Sequence, residues 1–194
     1  MLHEGTCGTI LQNVRYIIDI TEDNMFTIDS TDNRKYDLLM NPTELKHSYK
    51  ALRISVKGNV NQEIVLIGDC LTCVQENCAI LEDNIFTVLL NNHITQINME
   101  TLEIVGGYEI DVFGTTFAIY RMVDGYLIYG EIEIIKLDNN FNIVWKFSGK
   151  DIFVSVSDKN AFELTAESIK LYDFEDNFYE LDFDGNIINH VDKN

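Results

Sequence analysis

Apolar and polar positions follow a simple pattern over residues 134–149. Two apolar runs flank the polar turn at residues 138–142, and the runs contain Ile, Val, Leu, Phe and Trp, which favour strands. The turn holds Asp and Asn, which tolerate the left-handed backbone that a tight turn needs. The pattern therefore predicts a β-hairpin.

The same pattern occurs elsewhere in the chain. Residues 181–188 (LDFDGNII) match residues 137–144 (LDNNFNIV) in residue type at an offset of 44. A looser copy, at 97–105, lies 40 residues upstream and is one residue longer in the turn. Turn-then-strand segments begin at Asp83 and Asp124, 41 residues apart. A period of about 40–45 residues with several strands per period is the spacing of β-propeller blades.

Residues 135–147 resemble the repeat of quinoprotein-type and WD-like β-propellers, in which an apolar-Asp turn leads into an apolar-Trp-Lys strand. The resemblance covers residues 80–190 and implies architecture only, since no quinone-binding residues match. This chain contains a single Trp, whereas the repeat it resembles has a Trp in every blade. We predict one all-β domain over 1–194, a small or incomplete β-propeller-like array of antiparallel hairpins or meanders. The alternative is a β-sandwich that reuses one hairpin type.

One segment carries helix signals. Asn41 can cap a helix, Pro42 suits the first helical position, and Glu44 can reach back to the cap. Leu45, Tyr49 and Leu52 follow in a one-sided apolar stripe. These signals predict a short helix over 42–51.

Length and composition restrict the class of protein. A chain of 194 residues with 46% hydrophobic residues is that of a folded protein. No apolar run reaches 18 residues, and the N-terminus has no basic region followed by an apolar stretch. We therefore expect a cytoplasmic protein whose four cysteines are reduced.

Acidic residues are concentrated after Lys57. The first 57 residues contain seven Lys or Arg and eight Asp or Glu. Residues 58–194 contain seven Lys or Arg and 24 Asp or Glu, a net charge of −17. No Lys or Arg occurs from Gly58 to Tyr120. Such a field repels nucleic acid and anionic membranes and attracts a basic partner. The alternative is that the acidity only keeps the protein soluble.

Two motifs could bind metal ions. Cys70, Cys73 and Cys78 have C-x2-C-x4-C spacing, and His3 and Cys7 could complete a tetrahedral zinc site. A second C-x-x-C is missing, so we expect small core cysteines, no disulfide and no metal. Oxygen-bearing residues alternate at 138–142 and 182–186, as in calcium loops, but the Gly and Glu such loops require are missing. Hairpin turn chemistry explains the same residues.

Catalytic motifs are absent from the sequence. Glu131 and Glu133 could form a carboxylate pair on one strand face, but alternation with Ile explains them as a solvated face. The four histidines, His3, His47, His93 and His190, are isolated in sequence. No nucleophile elbow, phosphate-binding loop or His-Glu-x-x-His motif occurs. We expect a protein that is not an enzyme and has no cofactor.

The leading hypothesis is an acidic module that binds a basic protein, most concretely an immunity or inhibitor protein that masks a nuclease-type toxin. A nuclease site is basic because it binds phosphates. An acidic inhibitor therefore associates with it faster and discriminates against other partners. The alternatives are a ligand-binding or enzymatic propeller with a central-channel site, a decoy that mimics nucleic acid, and a non-catalytic scaffold. Aromatic rings beside carboxylates suit a binding hot spot. The predicted partner-binding residues are Tyr172, Asp173, Glu175, Asp176, Phe178, Tyr179 and Glu180.

Overall fold

The chain is almost entirely β-structure. A computed structural model describes residues 8–47, 49–69, 74, 76–155 and 160–193. Strands account for 53% of the described residues and helix for 3%, which confirms the predicted all-β class. The chain divides into two compact units, Met1–Glu109 (unit 1) and Ile110–Asn194 (unit 2). The single domain expected over 1–194 stays a prediction.

Sheet A of unit 1 contains five strands. They are β1 (Gly8–Gln12), β2 (Ile17–Glu22), β3 (Leu38–Met40), β4 (Lys50–Lys57) and β5 (Gln62–Gly68). Their order in the sheet is β1-β2-β4-β5-β3, and only the β3–β5 pairing is parallel. A short 3-10 helix, Thr31–Lys35, precedes β3, and the hydroxyl of Ser30 accepts a hydrogen bond from the Asp32 backbone N–H at 3.1 Å.

The other three sheets are four-stranded antiparallel meanders. Sheet B, in unit 1, contains β6 (Ala79–Glu82), β7 (Ile85–Leu90), β8 (His93–Asn98) and β9 (Glu103–Glu109). Sheet C, in unit 2, contains β10 (Thr116–Met122), β11 (Gly125–Gly130), β12 (Glu133–Asp138) and β13 (Ile143–Ser148). Sheet D, also in unit 2, contains β14 (Phe162–Leu164), β15 (Ile169–Tyr172), β16 (Phe178–Leu181) and β17 (Ile187–Val191). Meanders of four strands are the unit from which propeller blades are built.

The sequence repeats occupy equivalent places in these meanders. The copies at 97–105, 137–144 and 181–188 join the third strand to the fourth in sheets B, C and D. Each of these hairpins also contains a register shift where the turn meets the strands. The turns that begin at Asp83 and Asp124 join the first strand to the second in sheets B and C. The predicted array of hairpins and meanders is confirmed.

Aspartate side chains organise the turns of unit 2. The Asp138 carboxylate accepts hydrogen bonds from the backbone N–H groups of Asn140 (2.8 Å) and Asn142 (2.9 Å) and from the Asn142 side-chain amide (3.0 Å). Phe141, between these residues, has φ +62°. The side-chain and backbone hydrogen bonds from Asn142 lower the pKa of Asp138 from its ordinary value. The turn-chemistry interpretation of these oxygen-bearing residues is therefore confirmed.

The last hairpin repeats this arrangement. Asp182 accepts hydrogen bonds from the backbone N–H of Asp184 (3.0 Å) and of Asn186 (2.8 Å), and from the Asn186 side chain. Gly185 takes the left-handed position, with φ +84°. Hydrogen bonds from Asn186 lower the pKa of Asp182 in the same way.

Each unit has its own apolar core. In unit 1, sheets A and B contribute to one buried cluster that includes Ile54, Leu66, Phe86 and Val88. In unit 2, sheets C and D contribute to another, which includes Leu127, Ile134, Phe153, Leu171 and Leu181. Each pair of sheets therefore excludes water from one shared interior.

The helix predicted over 42–51 is wrong. The Asn41 side chain accepts a hydrogen bond from the Leu45 N–H at 2.9 Å, whereas a helix cap bonds to the second or third residue after it, so Asn41 closes a turn and caps no helix. Glu44 has φ +54°, a left-handed conformation that ends a right-handed helix. Among the described residues of this segment the chain forms a turn, and Lys50 already begins β4. Leu45 and Tyr49 pack against the buried Phe26 and Val65 instead of forming a helical stripe.

In the part that the structure describes, no helix is long and apolar enough to cross a bilayer.

Candidate protein-binding surface

The predicted partner-binding residues lie on one hairpin of sheet D. Tyr172 ends β15, residues 173–177 form the turn, and Phe178, Tyr179 and Glu180 lie on β16. The turn is a third example of the aspartate-organised type. The Asn177 backbone N–H and side-chain amide donate to the Asp173 carboxylate at 2.8 and 2.9 Å.

Two of the predicted residues are buried and hold the fold together. Asp173 is 0% exposed and also accepts a hydrogen bond from the Tyr179 hydroxyl at 3.1 Å. Tyr179 is 4% exposed, and its hydroxyl accepts a hydrogen bond from the Lys150 backbone N–H at 2.9 Å. Burial, together with the hydrogen bond to Asp173, raises the pKa of Tyr179. Neither side chain lies on the surface that a partner could touch, so their expected contact role is corrected to a structural one.

Four further residues of the predicted set are partly committed to contacts within sheet D and its turn. Asp176 takes the left-handed position at φ +62° and forms an ion pair with Lys193. The Ser168 hydroxyl donates to the Glu180 carboxylate at 2.7 Å. The rings of Tyr172 and Phe178 lie 5.0 Å apart and are half-buried. These groups therefore form the sides of the hairpin rather than its exposed end.

The exposed end of the hairpin consists of Phe174 and Glu175. Phe174 is 46% exposed, and its backbone N–H is fixed by the Ile152 carbonyl at 2.8 Å. Glu175 is exposed and forms no ion pair with another described residue. Sequence reasoning did not include Phe174 in the predicted surface. Alignment of the aspartate-organised turns could have found it, because Asn139 follows Asp138 as Phe174 follows Asp173, and Asn139 is also exposed.

Lysine side chains of unit 2 are largely paired within the unit. The ammonium group of Lys146 lies 3.2 Å from Glu133, that of Lys150 lies 2.6 Å from Asp192, and the buried Lys136 pairs with Asp124. Lys136 lowers the pKa of Asp124, and Lys150 lowers that of Asp192. Positive charge is thereby compensated locally.

Carboxylates remain in excess in both units. Residues 110–194 hold seven Lys or Arg and 16 Asp or Glu, a balance of −9, and residues 1–109 hold the same numbers. Several exposed carboxylates of unit 2 form no ion pair with a described residue; they are Glu163, Glu167, Glu175 and Asp184. An uncompensated set of this kind produces a negative potential at the surface.

Other candidate groups from the sequence have structural roles. Glu133 accepts hydrogen bonds from Lys146 and from the Phe113 N–H, while Glu131 precedes β12 and is not on the predicted strand face. His190 stacks on Tyr179 with ring centres 4.6 Å apart. These contacts explain the residues without a reaction.

Most of the cysteine motif lies outside the described residues. His3, Cys7, Cys70 and Cys73 belong to that part of the chain, while Cys78 is buried in the core of unit 1. Within the described ranges, no group of three or more His, Cys, Asp or Glu is arranged to hold a metal ion.

Comparison with known proteins identifies the fold. No family model matches the chain, and a search of curated proteins also finds no match. The CNH domain of AfRom2 matches with a TM-score of 0.53 at 10% identity, over 95% of this chain and 54% of that one. Raptor from Chaetomium thermophilum matches with a TM-score of 0.51 at 13% identity, over 97% of this chain and 21% of that one. BamB from Moraxella catarrhalis has a TM-score of 0.49 at 12% identity, over 95% and 57%.

The fold is therefore β-propeller-like. The AfRom2 and Raptor matches are propeller-like folds, and the four-stranded meanders of sheets B, C and D agree with them. This chain spans about half the length of the AfRom2 domain and about a fifth of Raptor. At these identities the likeness concerns architecture alone.

Proposed function

We propose that this protein is an acidic protein-binding module whose partner is a basic protein. Its most concrete form is an immunity or inhibitor protein that masks the basic surface of a nuclease-type toxin. The observation that supports the proposal most directly is the set of exposed carboxylates in unit 2 that form no ion pair with a described residue, beside lysines that are already paired.

A positively charged surface would distinguish the partner from other proteins. A nuclease binds phosphates with Lys and Arg, so its active surface is positive. An acidic surface brings such a protein into contact faster and disfavours neutral or acidic competitors. The same charge opposes binding to nucleic acid and to anionic membranes, and the proposal includes no catalytic step.

The hairpin of β15 and β16 offers a suitable contact surface. Phe174 supplies exposed aromatic area, and Glu175 supplies a carboxylate that can pair with Arg or Lys. Tyr172, Phe178 and Glu180 support this end from the sides. Because hydrogen bonds hold the turn, its backbone would lose little conformational freedom on binding.

The specific form of the proposal predicts that a nuclease-like protein is encoded beside the gene, and co-expression with that protein tests it. We expect a stable complex in which nuclease activity falls in proportion to the protein added. Phe174→Ala should weaken the complex by about tenfold or more, as a hot-spot aromatic would. Val123→Ala, a truncation of a fully exposed side chain on another turn of unit 2, is the control and should have no effect. A neighbouring nuclease that remains fully active would contradict the immunity form.

A further inference from the structure

Unit 1 contains a cleft that the protein-binding proposal does not use. Its volume is about 290 Å³, close to the lower limit for small-molecule sites. Pro42, Leu45 and Leu90 form apolar walls, and Asp69, His93, Thr95 and Glu109 contribute polar groups. We call these residues the unit 1 cleft.

The register of sheet B places several cleft residues on one face. Thr95 lies opposite Gly107, and His93 lies opposite Glu109, so these four positions share a side of the β8–β9 pair. A Cβ atom added at Gly107 would meet nothing within 4 Å. The glycine therefore leaves open space on the side of the strand that faces Thr95.

The Thr95 hydroxyl is buried and lacks a protein partner in the described part of the chain. The residue is 1% exposed, and its hydroxyl oxygen makes no hydrogen bond to any described residue. An unsatisfied buried hydroxyl is unfavourable, and most such groups find a partner. Its position in the wall of the cleft makes a bound ligand a suitable partner.

The charges of the cleft select the type of ligand. Asp69 and Glu109 are both exposed at the cleft, and Glu109 accepts a hydrogen bond from the Asn92 side chain at 3.3 Å. No Lys or Arg is among the described residues that line it. Two carboxylates without a facing cation attract positive charge, while the apolar walls suit a hydrocarbon chain.

We propose that the unit 1 cleft binds a small aliphatic amine or guanidine that carries a second hydrogen-bonding group. The cationic group lies with Asp69 and Glu109, the hydrocarbon chain contacts Pro42, Leu45 and Leu90, and the second group forms a hydrogen bond with the Thr95 hydroxyl. This site is independent of the protein partner proposed above.

Three probes of equal length test the charge preference. 4-Aminobutan-1-ol, butane-1,4-diol and 4-hydroxybutanoate share one hydroxyl and differ in the charge of the other end. Titrations followed by NMR shifts of Thr95 and its neighbours should show the amine binding about tenfold more tightly than the diol, and the acid not binding. Equal binding of amine and diol would overturn the proposal.

Variants then test the two halves of the site. Asp69→Asn with Glu109→Gln should reduce the affinity for the amine to that for the diol, whereas Glu103→Gln, an exposed carboxylate on the same strand, should leave it unchanged. Thr95→Val removes the hydroxyl at nearly constant shape. It should therefore lower the affinity for 4-aminobutan-1-ol to that for butylamine, and it should not lower the melting temperature of the protein. Unchanged binding in Thr95→Val would contradict the assigned hydrogen bond.

Discussion

At the scale of single residues, the carboxylates in the turns of unit 2 divide into two groups in the structure. Asp138, Asp173 and Asp182 each accept hydrogen bonds from the turn that they begin. Glu175 and Asp184 point from similar turns without an ion pair to another described residue. Residue type alone therefore does not separate a structural carboxylate from one available to a partner.

Replacement of Asp173 should destabilise unit 2. Asp173→Ala leaves the Asn177 amide groups and the Tyr179 hydroxyl without their buried acceptor, and we expect a loss of about 3 kcal/mol in the free energy of unfolding. Glu175→Ala, two positions away and exposed, should change it by less than about 0.5 kcal/mol. Urea unfolding of the two variants measures the difference, and equal stabilities would contradict the structural role.

The lowered pKa values of Asp138 and Asp182 predict acid sensitivity. Because folding lowers these values below the ordinary 3.8, the stabilisation is complete above that pH and is lost as the pH falls through the folded-state pKa values. Wild type should therefore lose more stability than Asp138→Asn/Asp182→Asn between about pH 5 and pH 2. Urea midpoints at the two pH values test this, and parallel changes in both proteins would refute it.

At the scale of elements, the sequence predicted what local chemistry determines. The hairpins at 97–105, 137–144 and 181–188 could be found because turn residues and flanking apolar runs are close in sequence. The parallel pairing of β3 with β5 could not, since it depends on contacts across residues 41–61. The helix over 42–51 failed because the ladder of β4 between β2 and β5 outweighs a capping signal. The burial of Asp173 and Tyr179 was likewise hidden, because it depends on the packing of unit 2.

Replacement by alanine should have different effects on stability at two strand glycines. Gly125 has φ +155°, and a Cβ atom there would lie 1.9 Å from the Leu137 carbonyl oxygen. Gly125→Ala should therefore destabilise the protein by more than about 2 kcal/mol. Gly107→Ala meets no atom within 4 Å and should be neutral or stabilising by about 0.5 kcal/mol. Thermal unfolding compares them, and similar melting temperatures would show that the close approach at Gly125 relaxes easily.

At the scale of the whole molecule, the net charge of −18 is shared equally between the two compact units. The charge boundary near Lys57 in the sequence lies inside unit 1, within one sheet. Acidity is therefore a property of both units, and local pairing decides which carboxylates can act on a partner. In unit 2, lysine pairing and turn hydrogen bonds leave the β15–β16 hairpin end as the candidate contact.

The dependence of association rate on salt tests the binding account most directly. The probe is the nuclease-like partner that the proposal predicts, and its association with wild type, Glu175→Lys and Asp29→Lys is measured as salt rises from about 0.01 to 0.15 M. Exposed charges are screened beyond about 8–10 Å at the upper concentrations, so the wild-type rate should fall clearly. Glu175→Lys should lower the rate well below that of Asp29→Lys, which changes net charge equally at an exposed carboxylate of unit 1. A rate indifferent to salt, or equal rates for the two variants, would contradict the account.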